Sequence, residues 1–251
     1  MKIVFLTGGA RELALECLLK HKENVVAVIT PVLSNSNSRF RDVIKTATEY
    51  GVKVIQVTKE TLSIELEKID FDLLISCGFS YIIDLSILKN KPAINCHPTL
   101  LPAYRGFRSG PYQIINGEKK SGVTIHKLSN EMDRGDIILQ GSFEITMFDT
   151  TKSVYRKARE LEPELLLKAV QLFKKGEVKY IPQDESKASE FNQIRTPKDS
   201  EINPAKPLLE LYNEIRACDP DDYPAFFYID GQQINVKLWR PGKTDDESDL
   251  I

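Results

Sequence analysis

The sequence predicts an α/β protein: a mostly parallel, Rossmann-like sheet flanked by helices, followed by a small C-terminal part containing a β-hairpin. Three observations carry this. Short apolar runs alternate with helix-length amphipathic segments over the first hundred residues, the pattern of βαβ units. Val25 to Ile29 is apolar throughout and rich in β-branched residues, as a strand buried on both faces must be. Near the other end, Ala225 to Ile229 and Ile234 to Leu238 flank an Asp230-Gly231 turn signal.

In order, Lys2 to Leu6 is a buried strand, and Thr7-Gly8-Gly9-Ala10 turns the chain into a helix over Glu12 to Lys22. With the strand at 25–29 this makes a βαβ unit, whose crossover is right-handed. Leu33 to Ser38 is polar and turn-rich, a loop. A helix over Arg39 to Tyr50 stops at Gly51, a C-cap residue. Val52 to Val57 is a strand, Lys59 to Ile69 a helix and Asp72 to Cys77 a strand that runs out into Gly78-Phe79-Ser80-Tyr81. Ile82 to Leu88 is a short helical piece, and Ala93 to Cys96 a further strand. Ligands gather at the carboxyl ends of strands in open α/β sheets, so the ends at Gly78 and Asn95 predict the floor of a site.

Ser109 to Asn116 is helical and closes at Gly117. Gly122 to Leu128 and Ile137 to Ile145 alternate apolar and polar residues, as strands with one exposed face do. Thr151 to Lys175 is a long amphipathic helix that Pro163 is expected to kink or split. Residues 181–207 lack periodicity and contain four prolines, which reads as a linker after a main unit of residues 1–180. A helix over Leu208 to Ala217 then opens the C-terminal part, 208–251, whose acidic tail from Thr244 to Asp249 is expected to fray.

Composition narrows the function. The 251 residues carry a net charge of −2 and are 41% hydrophobic, enough for a substantial core and without a global attraction to nucleic acid or anionic membrane. The first residues lack the apolar run of a secretion signal, and no run approaches a membrane span. The four cysteines are scattered without a CxxC pair, which fits reduced thiols in the cytoplasm. The histidines and cysteines show no zinc spacing, so no metal is expected.

The densest chemistry lies in Ile94 to Gly106. Asn95 and His97 are two apart in an extended segment, so both project to one face, with Cys96 on the other, a core position. His97-Pro98 and Leu101-Pro102 stiffen the loop, and either bond is a candidate for cis. Asp133 has two readings, a turn cap before Arg134-Gly135 or the carboxylate that completes the site. His126 reads as a packed strand residue. Arg105, between Tyr104 and Gly106, is either a surface charge or a bidentate anion clamp. The Gly8-Gly9 turn lacks both phosphate-loop spacings, and Arg11 beside it is placed to meet an anion at a helix N-terminus.

The stretch Asn95-Cys96-His97-Pro98-Thr99-Leu100-Leu101-Pro102-Ala103-Tyr104-Arg105-Gly106 resembles the NxHPSLLPxYRG motif of the 10-formyltetrahydrofolate-dependent formyltransferases, with Thr99 at the usual Ser. Gly122 to His126 and Asp133 to Ile138 resemble that family's GVTxH and DxGxII segments, and Gly78 to Ile83 resembles its folate-pocket loop. The resemblance covers about residues 1 to 180. It implies the formyltransferase fold and transfer of a formyl group from the folate N10 to an amine. Carried over, Asn95 would donate to the developing oxyanion and His97 would stabilise that oxyanion and move a proton. Asp133 would hold His97 in the useful protonation state. Phe79, Ser80, Tyr81, Ile82, Ile83, Met132 and Asp136 would contact 10-formyltetrahydrofolate. Gly8, Gly9, Arg11, Tyr104, Arg105 and Gly106 would contact the acceptor.

The acceptor is the open part. Residues 219–251 hold eight acidic side chains against Lys237, Arg240 and Lys243, which disfavours the phosphates of tRNA. The length and the hairpin-containing C-terminal part resemble the sugar-nucleotide branch, which implies a dTDP- or UDP-linked 4-amino-4,6-dideoxy sugar used for surface glycan synthesis, and a homodimer formed through the C-terminal part. The alternatives are a methionyl-tRNA formyltransferase-like enzyme, or a non-catalytic sugar-nucleotide- or folate-binding protein on the same scaffold. Phe107-Arg108-Ser109-Gly110 departs from the tRNA-type pattern as an insertion on the acceptor side.

Overall fold

The computed structural model describes residues 1–34, 38–106, 109–191 and 195–251. The middle of the 33–38 loop and the Phe107-Arg108 half of the expected insertion lie outside the described residues.

Strands β1 (Lys2–Leu6), β2 (Asn24–Pro31), β3 (Lys53–Val57), β4 (Leu73–Cys77) and β5 (Ala93–His97) are parallel. The two-residue strand β6 (Arg105–Gly106) leaves this sheet; β7 (Lys120–Lys127) returns to it antiparallel to β5, and β8 (Ile137–Glu144) pairs antiparallel with β7. The seven-stranded order is β3-β2-β1-β4-β5-β7-β8. The chain steps outward from β1 to β3, then crosses to the far side of β1 to lay down β4. The switch point therefore lies between β1 and β4. There the Gly8 N–H donates to the Gly78 carbonyl at 3.0 Å, which joins the two loops that follow these strands.

Alternation along β1 divides the core. Ile3 and Phe5 face α1 (Glu12–Lys20) and α2 (Arg41–Glu49), while Val4 and Leu6 face the layer holding Leu62 and Leu66 of α3 (Leu62–Glu67). The short helix α4 (Gly110–Ile115) leads to β7, and α5 (Thr151–Lys175) packs on the α1 side. Thr150 and Ser153 cap α5 reciprocally, and Gly176 closes it with φ of 67°.

Pro163 does not split α5, which stays continuous for 25 residues. Val154 and Ala158 before the proline, and Leu165, Leu166, Ala169 and Val170 after it, are all buried. Packing on both sides of the proline holds the two halves in one helix.

Residues 181–207 are more than a spacer. Ile181 exchanges two backbone hydrogen bonds with Ile137, and β9 (Glu190–Phe191) pairs with β6. The C-terminal α6 (Leu208–Arg216) packs with the hairpin of β10 (Ala225–Ile229) and β11 (Gln232–Val236) around Ile202, Leu211, Ile215, Cys218 and Ala225. Asp230 and Gly231 both have positive φ, 48° and 74°, the geometry of a tight two-residue hairpin turn. That turn starts the second strand at Gln232, two residues earlier than the apolar pattern suggests. Phe226 is buried and Phe227 packs on the small core, so two of the three aromatics in Phe226-Phe227-Tyr228 serve the hairpin itself.

The acidic tail is not frayed. Asp249 pairs with Arg156, its carbonyl accepts from the Thr150 hydroxyl at 2.6 Å, and the Ile251 N–H donates to the Phe148 carbonyl at 2.9 Å. Arg156 on Asp249 and Arg240 on Glu247 tether the end of the tail, while Asp245 and Asp246 stay exposed. Among the described residues, no helix is long and apolar enough to cross a membrane.

Candidate functional site

A cavity of about 960 Å³ opens at the carboxyl ends of β1, β4 and β5. Its floor comprises the Gly8-Gly9 turn, the Gly78–Ile83 loop, Asn95, His97 and His126. The Leu128–Asp133 loop forms one wall. The start of α5 and parts of the C-terminal region, from Ile215 to Tyr223 and from Ser248 to Ile251, form others. The two strand ends expected to make the floor do so, and β1 contributes a third.

Three polar side chains converge on Asp133. His97 Nδ1 lies 3.4 Å from Oδ2 and His126 Nε2 lies 3.5 Å from Oδ1. Asn95 Nδ2 lies 3.4 Å from Oδ1, and the Gly106 N–H donates to Oδ2 at 2.9 Å. Asp133 therefore belongs to a site and is not merely a turn cap. His126, read from sequence as a packed strand residue, belongs to the same cluster. In the antiparallel register it stands directly opposite Asn95, so the two share a face of the sheet.

The hydrogen-bond partners place a proton on one nitrogen of each imidazole. His126 Nδ1 lies 2.9 Å from the Lys127 carbonyl, which only accepts, so Nδ1 carries the proton. Its Nε2 then accepts from Asn95 Nδ2 at 3.1 Å, which also sets the orientation of the amide. His97 Nε2 lies 2.9 Å from the Tyr104 carbonyl and is protonated for the same reason. The lone pair of neutral His97 is thus on Nδ1, turned toward Asp133. Burial pushes the His97 pKa below its ordinary value, and the Asp133 charge and Tyr104 carbonyl oppose that. Burial alone would push the Asp133 carboxyl up. The charge that His97 and His126 would carry when protonated, together with the Gly106 N–H, outweighs it and holds the carboxyl well below the usual range.

The backbone is bent to make this arrangement. Asp133 and Tyr104 both have positive φ, 55° and 61°, unusual for non-glycine residues. Gly135 is obligatory, because a Cβ there would lie 1.7 Å from the Lys127 carbonyl oxygen. Of the two stiffening X-Pro bonds, Leu101-Pro102 is cis. Cys96 is buried in the core beneath the site, as its opposite facing implies.

The remaining expected site residues divide. Phe79, Ser80, Tyr81, Ile82, Ile83 and Met132 line the cavity, as do Gly8, Gly9 and Gly106. Asp136 does not; its carbonyl instead accepts the Lys127 N–H at 2.9 Å, which locks the loop onto β7. Arg11 borders the cavity, but its guanidinium meets the protein's own Glu162 at 2.9 Å rather than a substrate anion. Tyr104 and Arg105 point away from the cavity. The Tyr104 hydroxyl donates to Glu118 at 2.6 Å, and burial with that bond pushes its pKa up to about 12. Its ring stacks on Phe191 at 5.3 Å. Arg105, 1% exposed, is neither a surface charge nor a substrate clamp: it grips Glu185 with two nitrogens at 2.7 and 3.0 Å and Gln183 at 2.7 and 3.0 Å.

Sequence reasoning also missed Glu162 and the Cys77, Cys96, Glu162 group that lies together beneath the floor. A signal for Glu162 existed. It occupies a stripe position of α5, four residues from Ala158 and Leu166, where an acid must find a buried partner.

Residues 1–170 match the family model for formyl transferases. Over 250 residues the chain is 36% identical to the methionyl-tRNA formyltransferase of Fervidobacterium nodosum, covering 95% of this chain and 77% of that protein. It superposes on WlaRD, a sugar 3N-formyl transferase solved in the presence of dTDP and 5-N-formyl-THF, with a TM-score of 0.72. The two are 26% identical, and the match covers 86% of this chain and 78% of WlaRD. A 4-N formyltransferase from Francisella tularensis shares the fold at a TM-score of 0.76 and 24% identity, over 94% of this chain and 96% of the other. With more than half its length inside the family model, and the enzyme class shared by these relatives, the chain belongs to the formyl transferase family and is a formyltransferase.

Proposed function

We propose that the enzyme transfers a formyl group from 10-formyltetrahydrofolate to the amine of a nucleotide-linked amino sugar, a dTDP- or UDP-linked 4-amino-4,6-dideoxy sugar. The observation that carries formyl transfer is the Asn95, His97 and Asp133 cluster on the floor of one cavity. Its chemistry suits attack by a neutral amine without a covalent enzyme intermediate. As the new C–N bond forms, the formyl oxygen becomes an oxyanion, and an Asn95 N–H turns to it from its weak 3.4 Å contact with Asp133. The His97 Nδ1 lone pair takes the amine's proton, directly or through one water, and Asp133 stabilises the resulting imidazolium. The C–N10 bond then breaks, and the same proton returns to N10 of the departing folate.

Three features support the sugar-nucleotide acceptor. A cavity near 960 Å³ is large for one ligand and suits two small molecules side by side. The C-terminal region helps wall it, and residues 219–251 hold eight acids against three bases, a poor surface for tracking tRNA phosphates. WlaRD, a sugar 3N-formyl transferase solved in the presence of dTDP and a formyl folate, matches 86% of this chain. A second reading, methionyl-tRNA as the acceptor, draws on the 36% identity to the Fervidobacterium nodosum enzyme.

One experiment separates them. The protein is incubated with 10-formyltetrahydrofolate and either a panel of dTDP- and UDP-linked 3-amino and 4-amino sugars or charged initiator tRNA, and products are read by mass spectrometry. A formylated sugar nucleotide is expected. Formylation of the tRNA alone would overturn the choice of acceptor.

A further inference from the structure

The cluster's carboxylate stands on a loop, unlike the groups around it. Asn95 and His97 lie on β5 and His126 on β7, where the sheet ladder fixes their backbones. Asp133 follows the open Leu128–Met132 stretch and adopts a left-handed conformation that an aspartate does not favour unaided. Something must over-determine that geometry.

The segment after α5 supplies it. Gln183 Nε2 donates to two backbone carbonyls of this loop, Asp133 at 2.8 Å and Gly135 at 2.7 Å. Its Oε1 accepts from Arg105 Nε and Nη2 at 3.0 and 2.7 Å, which fixes which end of the amide faces the loop. Arg105 is itself held by Glu185, and its backbone N–H donates to the Ser189 carbonyl at 2.9 Å. Arg134, next to Asp133, reaches the same Glu185 at 3.0 Å. The circuit closes at Gly106, adjacent to Arg105, whose N–H donates to the Asp133 carboxylate. Both the backbone and the side chain of Asp133 are therefore tied to the pair Arg105 and Gln183.

From this circuit we infer that Gln183 is a positioning residue for the formyl-transfer step, acting through Asp133, and that buried Arg105 serves catalysis by orienting Gln183 rather than by holding substrate. The kinetic part of the inference rests on the function proposed above; the geometric part does not. In a bare structural role, Gln183 would support the fold without affecting how Asp133 meets His97.

Gln183→Glu separates these roles. A glutamate still accepts from Arg105, so the guanidinium stays paired, but it has no N–H for the Asp133 and Gly135 carbonyls and repels them. Gln183→Ala removes both functions. Each variant is compared with the wild type by thermal melting, by kcat and KM for both substrates, and by NMR titration of the histidine rings, only three of which exist. For Gln183→Glu we expect melting close to wild type, KM within about threefold and kcat down about 10- to 100-fold, the loss expected when a reacting group shifts by about 1 Å. The His97 ring should titrate at lower pH, because the carboxylate that favours its charged form has moved away.

Wild-type kcat with an unmoved His97 titration in Gln183→Glu would overturn the inference, as would a kcat loss matched only by a loss of folded protein. If the wild type formylates none of the offered acceptors, the functional reading fails, and the His97 titration still decides the positioning role without any substrate. If Gln183→Ala does not fold, Gln183→Glu decides alone.

Discussion

Asp133→Asn is the most informative perturbation of the cluster, because it removes a charge while preserving shape and the acceptor for the Gly106 N–H. The magnitude follows from one distance. At an effective dielectric near 20, opposite unit charges separated by the 3.4 Å between His97 Nδ1 and Asp133 Oδ2 attract by about 5 kcal/mol. That attraction exists only while His97 carries the transferred proton, so it lowers the barrier without tightening the ground state. Its full loss would be about 10³- to 10⁴-fold in rate. Relaxation of the site reduces this, and we expect kcat to fall between about 10² and 10⁴ with KM little changed. A second consequence has a definite sign. Wild-type activity requires neutral His97 and is lost as pH falls through its pKa, which burial sets below the ordinary histidine value. Asp133 raises that pKa, so removing its charge moves the acid limb of kcat/KM to lower pH. Single-turnover rates over the acid range measure both effects. A kcat within threefold of wild type, or an acid limb that stays in place while kcat falls, would refute proton transfer through the His97 and Asp133 pair.

Three further outcomes are expected. Asn95→Ala should lower kcat about 10²- to 10³-fold, the usual loss of one oxyanion donor, with a melting temperature near wild type; a stable variant with ordinary turnover would remove Asn95 from the chemistry. Gly135→Ala must displace the Lys127 backbone, since its Cβ would lie 1.7 Å from that carbonyl oxygen, and should destabilise the fold by about 3 kcal/mol or more in urea unfolding. Glu162→Ala strands the Arg11 guanidinium beneath the cavity without its 2.9 Å partner and should destabilise by about 3–5 kcal/mol, whereas a double change to well-packed apolar residues should recover much of that loss.

Local physics made much of this molecule legible. Period-two and period-3.6 patterns located the strands of the main sheet and the helices, because each element buries a face that its own residues define. Asn95 and His97 were legible as a pair, since two residues apart on a strand share a face in any fold. His126 was not. Its place opposite Asn95 depends on the β5–β7 register, and some thirty intervening residues leave that register undetermined by local pattern. Arg105 and Tyr104 were misjudged for a related reason. A guanidinium in a glycine- and proline-rich loop looks exposed until the chain about 80 positions later returns with Gln183 and Glu185 to bury it. The tail was misjudged through its composition, because Asp249 near its end meets Arg156, some 90 positions earlier, rather than solvent.

These failures share a physical cause. Each misread residue is polar, and each is satisfied by a partner distant in sequence. Apolar burial is non-directional, so a periodic pattern predicts it without naming the partner. A buried polar group must instead find a specific donor or acceptor, and the sequence does not announce which. The candidate site inherits this asymmetry. Asn95, His97 and His126 stand on ladders that apolar strands specify, whereas Asp133 depends on a polar circuit running from Gly106 through Arg105 to Gln183. Substitutions in the 181–191 segment should therefore disturb the carboxylate while leaving the amide and the two imidazoles in place. Proton transfer should fail there before oxyanion stabilisation does, and before the fold itself.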